Sequence, residues 1–194
     1  MHLSRLLLLF GLAALLNACA GARGFWNPNR SDRNGLARGR WRIYHDGAKK
    51  HLFTSGQYRH GRPVRTFRYF SPTGALERSE VYGRDGLCEV TYWHPDGKVA
   101  RRGTAQWVTG KGKAPRFYWY GPWTSYDPTG QVTDVQTYTD GTITRAEKYE
   151  DGKLTQVETY EGNKTTRTES YQDGQLIRVE TFEKGLRTGN TNTL

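Results

Sequence analysis

A short turn signal recurs along this chain, each time soon after an aromatic residue. In the C-terminal part the turn positions are 130, 141, 152, 163, 174 and 185, which are eleven residues apart. Asp-Gly and Gly-Asn dipeptides between alternating segments favour β-hairpins, because tight hairpin turns need positive φ. Two-residue turns at this spacing leave strands of about nine residues. The sequence therefore predicts an all-β fold over residues 39–189, an antiparallel meander forming one elongated, twisted single sheet.

The apolar residues of the chain are mostly aromatic. The sequence holds 6 Trp, 12 Tyr and 7 Phe, while Leu, Ile and Val are scarce after residue 18. Helical bundles and doubly wound α/β folds need aliphatic runs, so both classes are excluded. Neither face of the C-terminal strands is apolar enough to be deeply buried. We therefore expect a thin aromatic core and a sheet that is wetted on both sides over much of its length.

The turns also predict how neighbouring strands pair. If the two strands that flank a two-residue turn pair residue by residue, one Tyr at each of three turns has a predicted partner. The predicted pairs are Tyr149 and Leu154, Tyr160 and Thr165, and Tyr171 and Leu176. The same register predicts opposite charges alternating across four strands at Arg145, Glu158, Arg167 and Glu180. Such pairs contribute only about 0.2–1 kcal/mol each, but a one-residue slip would move them to the other face.

The N-terminus is typical of a secretory signal. A basic start is followed by the apolar run 6–16 and by small or polar residues before Cys19. Residues 16–19, Leu-Asn-Ala-Cys, resemble the lipobox of bacterial lipoproteins. That resemblance implies that residues 1–18 are removed and that Cys19 carries the lipid. The alternative is an ordinary signal peptide with a cysteine there by chance.

The residues after the cysteine bear on location. Ala20 stands where lipoproteins retained in the inner membrane usually carry Asp, so the resemblance implies the periplasmic face of the outer membrane. Residues 19–38, rich in Gly, Asn and Arg, are predicted to form a flexible tether, and residues 190–194 a short tail.

Charge divides the chain into two halves. Residues 20–119 hold 20 Lys and Arg against 7 Asp and Glu, whereas residues 120–194 hold 8 against 12. A basic envelope protein would attract anionic lipid headgroups, lipopolysaccharide phosphates or an acidic protein. Nucleic acid is not expected behind a secretion signal. The alternative is that the arginines are simply solvated.

Three segments carry a family resemblance: 39–47 (GRWRIYHDG), 56–61 (GQYRHG) and 121–126 (GPWTSY). They resemble MORN-type repeats, and more closely the variant repeats of the YwqK-like family, whose bacterial members are called antitoxin-like. The resemblance extends over residues 39–142 and continues to 187 only as an aromatic-turn rhythm. Arg65 and Phe67 depart from it, since the pattern has Gly and Trp there. It implies MORN-like hairpin repeats and an antitoxin-like role.

The repeat rhythm is interrupted once, between residues 107 and 121, by a basic segment beside a dense group of aromatic residues. Aromatic and Arg side chains supply much of the energy at protein interfaces. We therefore predict that a partner binds Trp107, Lys111, Lys113, Arg116, Tyr118, Trp119, Tyr120 and Trp123. The alternative is that the rings are the thickest part of the core.

The sequence offers no pattern for catalysis. His45, His51, His60 and His94 lack the spacing of metal ligands, and Cys88 has no second cysteine nearby. No nucleophile elbow or phosphate loop is present. We therefore expect no catalytic residues, metal or cofactor.

Two functions are consistent with these features. The first is an envelope-anchored lipoprotein whose β-repeat surface binds a protein, as an immunity or antitoxin-like inhibitor of a secreted toxin. The alternative is a structural envelope lipoprotein that binds anionic glycan, lipid or cell-wall polymer through its basic half.

Overall fold

The computed structural model describes residues 27–108 and 116–193. They form one open sheet in which each strand pairs antiparallel with its neighbours in sequence, so the predicted all-β meander is confirmed. A single 3₁₀ turn, Arg84–Gly86, precedes β6. The strands are β1 Arg30–Ser31, β2 Ala37–Tyr44, β3 Leu52–Arg59, β4 Arg62–Phe70, β5 Leu76–Tyr82, β6 Leu87–Trp93, β7 Val99–Val108, β8 Arg116–Tyr126, β9 Val132–Thr139, β10 Thr142–Glu150, β11 Lys153–Glu161, β12 Lys164–Gln172, β13 Gln175–Glu183 and β14 Leu186–Asn192.

The sheet extends beyond the predicted repeat domain at both ends. β1 and the start of β2 lie inside the predicted tether 19–38, and β14 enters the predicted tail 190–194. The side-chain amide of Asn29 helps to explain why the sheet begins before residue 39. Asn29 Nδ2 donates to the Arg42 carbonyl at 2.7 Å, and the Arg42 N–H donates to Asn29 Oδ1 at 2.7 Å. This amide therefore pairs with the edge of β2 as a peptide group would.

The hairpin turns have the predicted backbone geometry. The two central residues both have positive φ at His60-Gly61, Asp140-Gly141, Asp151-Gly152, Asp173-Gly174 and Lys184-Gly185, as type I′ turns require. The Gly162-Asn163 turn differs, because only its glycine has positive φ, which is the arrangement of a type II′ turn.

The predicted register is right at the turns and wrong beyond them. The pairs Tyr149–Leu154, Tyr160–Thr165 and Tyr171–Leu176 all occur. One position further from each turn, the second strand contains an extra residue, which is a β-bulge. From β10 to β14 the extra residues are Thr144, Thr155, Thr166, Ile177 and Thr188.

The bulges abolish the predicted ladder of opposite charges. Arg145 lies opposite Thr159 rather than Glu158, because the extra residue shifts the pairing by one. Cross-strand partners share a face, so Arg145 and Glu158 are on opposite faces of the sheet. The guanidinium of Arg145 instead contacts Glu147 in its own strand, with 2.9 Å between Nε and Oε1.

Threonine at the bulges has a structural role. The hydroxyl groups of four extra residues donate to the carbonyl seven positions earlier, at 3.2 to 3.3 Å: Thr144, Thr155, Thr166 and Thr188. The bulge disturbs the regular ladder at this point, and the hydroxyl supplies a donor to the neighbouring strand. This accounts for threonine recurring in the period of eleven.

Over β2–β9 the two faces of the sheet differ sharply. All fully buried side chains described in these strands lie on one side, which we call the aromatic face: Thr54, Phe67, Glu80, Cys88, Val90, Ala105 and Trp123. Partly buried rings surround them: Trp41, Tyr58, Tyr82, Tyr92, Trp119 and Tyr138. The core is therefore a single layer of side chains on one side of the sheet, with no second layer over it in the described residues.

Candidate functional site

The residues predicted to bind a partner do not form one surface. The aromatic face carries Trp107, Trp119 and Trp123, while the opposite face carries Arg116, Tyr118 and Tyr120. Lys111 and Lys113 lie outside the described residues. Successive residues of a strand point to opposite faces, so a run of aromatic residues in sequence is divided between two surfaces.

Trp123 is a core residue rather than a binding residue. Its exposed fraction is 0%, and its Nε1 donates to the Thr104 carbonyl at 2.9 Å. The ring stacks on Trp119 with 4.3 Å between centroids and covers Gly103 on the neighbouring strand. Arg101 lies over both indoles, 4.6 Å from the Trp119 centroid. For this residue the alternative interpretation, that the rings form the core, is correct.

A buried carboxylate lies at the centre of the aromatic face. Glu80 is 3% exposed and accepts hydrogen bonds from the hydroxyls of Tyr69 at 3.0 Å and Tyr82 at 2.8 Å. Arg78 Nε lies 3.3 Å from its other oxygen. Burial, and then the negative charge of Glu80, raise the pKa of Tyr82. Both carboxylate oxygens have partners and the side chain is almost completely buried, so Glu80 is an element of the core.

Cys88 lies in the same core. Its exposed fraction is 2%, and burial raises the pKa of its thiol to about 12. The thiol is therefore protonated at neutral pH and packs as a small apolar group beside Ala105.

The histidines connect hairpins. His45 Nε2 lies 2.8 Å from the Phe70 carbonyl, and His94 Nε2 lies 2.9 Å from the Tyr126 carbonyl. The first contact joins the turn after β2 to the end of β4, and the second joins the turn after β6 to the end of β8. In the described part of the chain, no cluster of three His, Cys, Asp or Glu side chains has the geometry of a metal site.

The candidate functional surface is the other side of β2–β8, which we call the open face. Four apolar side chains on β5–β8 are exposed there: Val81, Leu87, Val108 and Tyr120. Tyr120 is the most exposed of the four, at 50%. Because these four side chains are exposed among the described residues, they are available to a partner.

Arginine is the main charged residue of the open face. Among the arginines that its strands place on this side are Arg40, Arg42, Arg68, Arg102 and Arg116. Glu89 lies in the same rows of side chains, between Val81 and Thr104. The predicted binding residues did not include most of this face, although the alternation Arg-x-Arg around Trp41 in β2 indicated it.

One comparison with known proteins bears on this surface. Residues 119–140 match a family model described as MORN repeat variant. The match covers the end of β8, its turn and all of β9, which include Trp123 and the positive-φ Gly121. No curated protein matches the chain. In the described residues, no helix has the length and apolarity required to cross a membrane. The chain therefore contains a MORN-type repeat within a β-repeat sheet, which is a fold suited to binding.

Proposed function

We propose that this protein is an envelope-anchored lipoprotein that binds an acidic protein partner through the open face, as an immunity or antitoxin-like inhibitor of a toxic effector. The observation that carries the proposal is the group of exposed apolar side chains on β5–β8, flanked by arginines on the same face. Exposed apolar patches with Tyr and Arg mark protein interfaces. The positive balance of residues 20–119 favours an acidic partner and steers its approach.

The proposed role requires no catalysis. Glu80 and Cys88, two chemically distinctive groups of the described residues, are inside the core. The YwqK-like resemblance supports an inhibitor, and the lipobox resemblance supports a lipid anchor at Cys19 on the periplasmic face of the outer membrane.

Capture of a partner tests the proposal. Leu87→Ser and Tyr120→Ser remove apolar contacts from the open face, while Leu186→Ser removes a leucine that is 74% exposed on β14 and serves as the matched control. We expect a stoichiometric protein to be retained by the parent and by the control and to be lost from both open-face variants. Deleting the gene should also sensitise cells to the captured effector. Absence of any stoichiometric partner, or equal loss in all three variants, would contradict the proposal.

The anchor has its own test. Metabolic labelling with a fatty acid should modify the parent and the Cys88→Ala variant, but not Cys19→Ala. A label that persists in Cys19→Ala would refute the anchor while leaving the binding surface unaffected.

The second candidate function is that of a structural envelope lipoprotein that holds an anionic glycan, lipid or wall polymer. The arginines of the open face favour it. Binding of this kind is electrostatic and should collapse as salt is raised, because exposed charges are screened beyond about 8 Å at physiological ionic strength. Binding dominated by apolar contacts would persist, so the salt dependence separates the two functions.

A further inference from the structure

Three arginines of the open face surround one groove. Arg42 on β2 and Arg68 on β4 both pair with Ser55, which lies between them on β3. Arg40 lies two residues before Arg42 and pairs with Gln57. Strands are spaced by about 4.8 Å, so the backbones of Arg42 and Arg68 are about 10 Å apart with a small residue between them.

The groove is shallow, polar and positively charged. Its volume is about 180 Å³, and its lining includes the three arginines together with Ser55, Gln57 and Thr66. All three arginines are exposed, whereas the three polar residues are half-buried. Among the described residues, no carboxylate side chain lines the groove.

The donors around this groove are not engaged by the described chain. The ion pairs of other arginines show that this sheet readily neutralises guanidinium groups with carboxylates, as at Arg78, Arg145, Arg167 and Arg187. Within residues 27–108 and 116–193, no such carboxylate lies within 4 Å of Arg40, Arg42 or Arg68. The Ser55 hydroxyl and the Gln57 amide likewise make no side-chain hydrogen bond to the described residues. Three positive charges and two polar groups therefore face solvent together.

We propose that this groove, which we call the arginine groove, binds a tetrahedral oxyanion of the phosphate class. Guanidinium forks donate paired hydrogen bonds to phosphate oxygens, and two forks on either side of a small residue enclose such a group from opposite sides. Ser55 supplies a hydroxyl donor at the floor. A planar carboxylate would satisfy one fork and leave the others exposed. The inference rests on the second candidate function, since it names the site and the chemistry by which the basic half holds an anionic ligand.

The test is a titration of the purified full-length protein with inorganic phosphate, monitored by NMR of the arginine side chains. We expect saturable shifts of Arg42 and Arg68. Arg42→Gln and Arg68→Gln should each weaken binding about tenfold, because a charge-assisted hydrogen bond is lost. Arg102→Gln, which removes the same charge from the same face outside the groove, should change binding less than about twofold. Arg68→Lys keeps the charge but not the fork, and should weaken binding nearly as much as Arg68→Gln.

Two further arms identify the source of the phosphate. Glucose 1-phosphate represents a soluble or glycan-borne phosphate, and vesicles of phosphatidylglycerol in phosphatidylcholine represent a lipid headgroup. Any lipid anchor is common to all variants, so a difference between Arg42→Gln and Arg102→Gln on vesicles reports the groove alone. Whichever arm shows that difference assigns the source.

The proposal is overturned if phosphate produces no saturable shift, or if all the arginine variants weaken binding equally. Retention on a polyphosphate resin separates these outcomes from failure of the parent function. If retention is sensitive to salt but unchanged in Arg42→Gln, the protein binds polyanions at some other place. The second candidate function then stands, and the arginine groove is refuted. Unchanged far-UV circular dichroism and unfolding midpoints establish that each variant is folded.

Discussion

Gly103 should be one of the glycines of this sheet that tolerate a side chain least. A Cβ built there would lie 2.3 Å from Trp123 Cδ2 and 2.5 Å from Cγ, well inside van der Waals contact. The Gly103→Ala change therefore forces the buried indole to move. Overpacking of a core costs about 1–3 kcal/mol. Loss of the 2.9 Å bond from Trp123 Nε1 to the Thr104 carbonyl, with the N–H still buried, adds about 1–3 kcal/mol. We expect the free energy of unfolding to fall by about 2–6 kcal/mol.

The measurement is urea unfolding followed by far-UV circular dichroism, which reports the whole sheet. Gly47→Ala is the control, because nothing lies within 4 Å of its added Cβ and its φ is not in the positive region. It should change stability by less than about 0.5 kcal/mol. In a Trp123→Leu background the cost of Gly103→Ala should drop below about 1 kcal/mol, since the clash is gone. An equal loss of stability in both backgrounds would show that the clash with the Trp123 indole is not the reason why Gly103→Ala is destabilising.

Three further predictions follow from the bulges and turns. Arg65 has a φ of 62°, so Arg65→Gly should raise the free energy of unfolding by up to about 1 kcal/mol in the same urea assay; a loss of stability would mean that its side chain has a role of its own. The Tyr149 hydroxyl lowers the pKa of Glu147 from its ordinary 4.5, so in Tyr149→Phe an NMR titration should find that pKa higher. A lowered pKa gives stability that is present above the ordinary value and lost as pH falls through the folded one, so the variant should lose less stability in acid than the parent. The effects of Glu158→Arg and Arg167→Glu on the free energy of unfolding should add within about 0.5 kcal/mol, because the two residues are on opposite faces. If the double variant were more stable than this sum, the strands would pair directly, without the bulges.

The turns were predictable from sequence because their chemistry is local. Asp-Gly and His-Gly adopt two successive positive φ angles at low cost, so each dipeptide fixes its own hairpin and the residues on either side of it. The bulges were not predictable in the same way. Thr155 reads as an ordinary β-branched strand residue, and its role appears only when its hydroxyl is seen bonded to the Lys148 carbonyl across the hairpin. One extra residue per strand then reverses which face every more distant side chain occupies.

The candidate site was harder to predict than the fold for a related reason. The density of aromatic residues along the sequence suggested one surface at residues 117–123. Successive side chains of a strand point to opposite faces, so these residues are divided between two surfaces, and Trp123 is buried in the core. The open face is spread over seven strands, with a few side chains contributed by each, so no short motif marks it. What the sequence does contain is the repeated alternation of an aromatic with Arg, as at Trp41 and Arg42 in β2.

The two halves of the sheet bury their side chains differently. In β10–β13 the Glu-x-Tyr pairs alternate between faces: Tyr149 donates to Glu147 at 2.6 Å on one side, and Glu158 accepts from Tyr160 on the other. Small buried residues occur on both sides there, so both faces are partly covered by their own side chains. In β2–β9 the buried rings are on the aromatic face, where they cover one another, while Tyr118 and Tyr120 are on the open face. With the buried rings on the aromatic face, the core does not require apolar side chains on the open face. In our proposal the exposed leucine, tyrosine and arginines of the open face serve binding, because burial of the aromatic rings does not require them there.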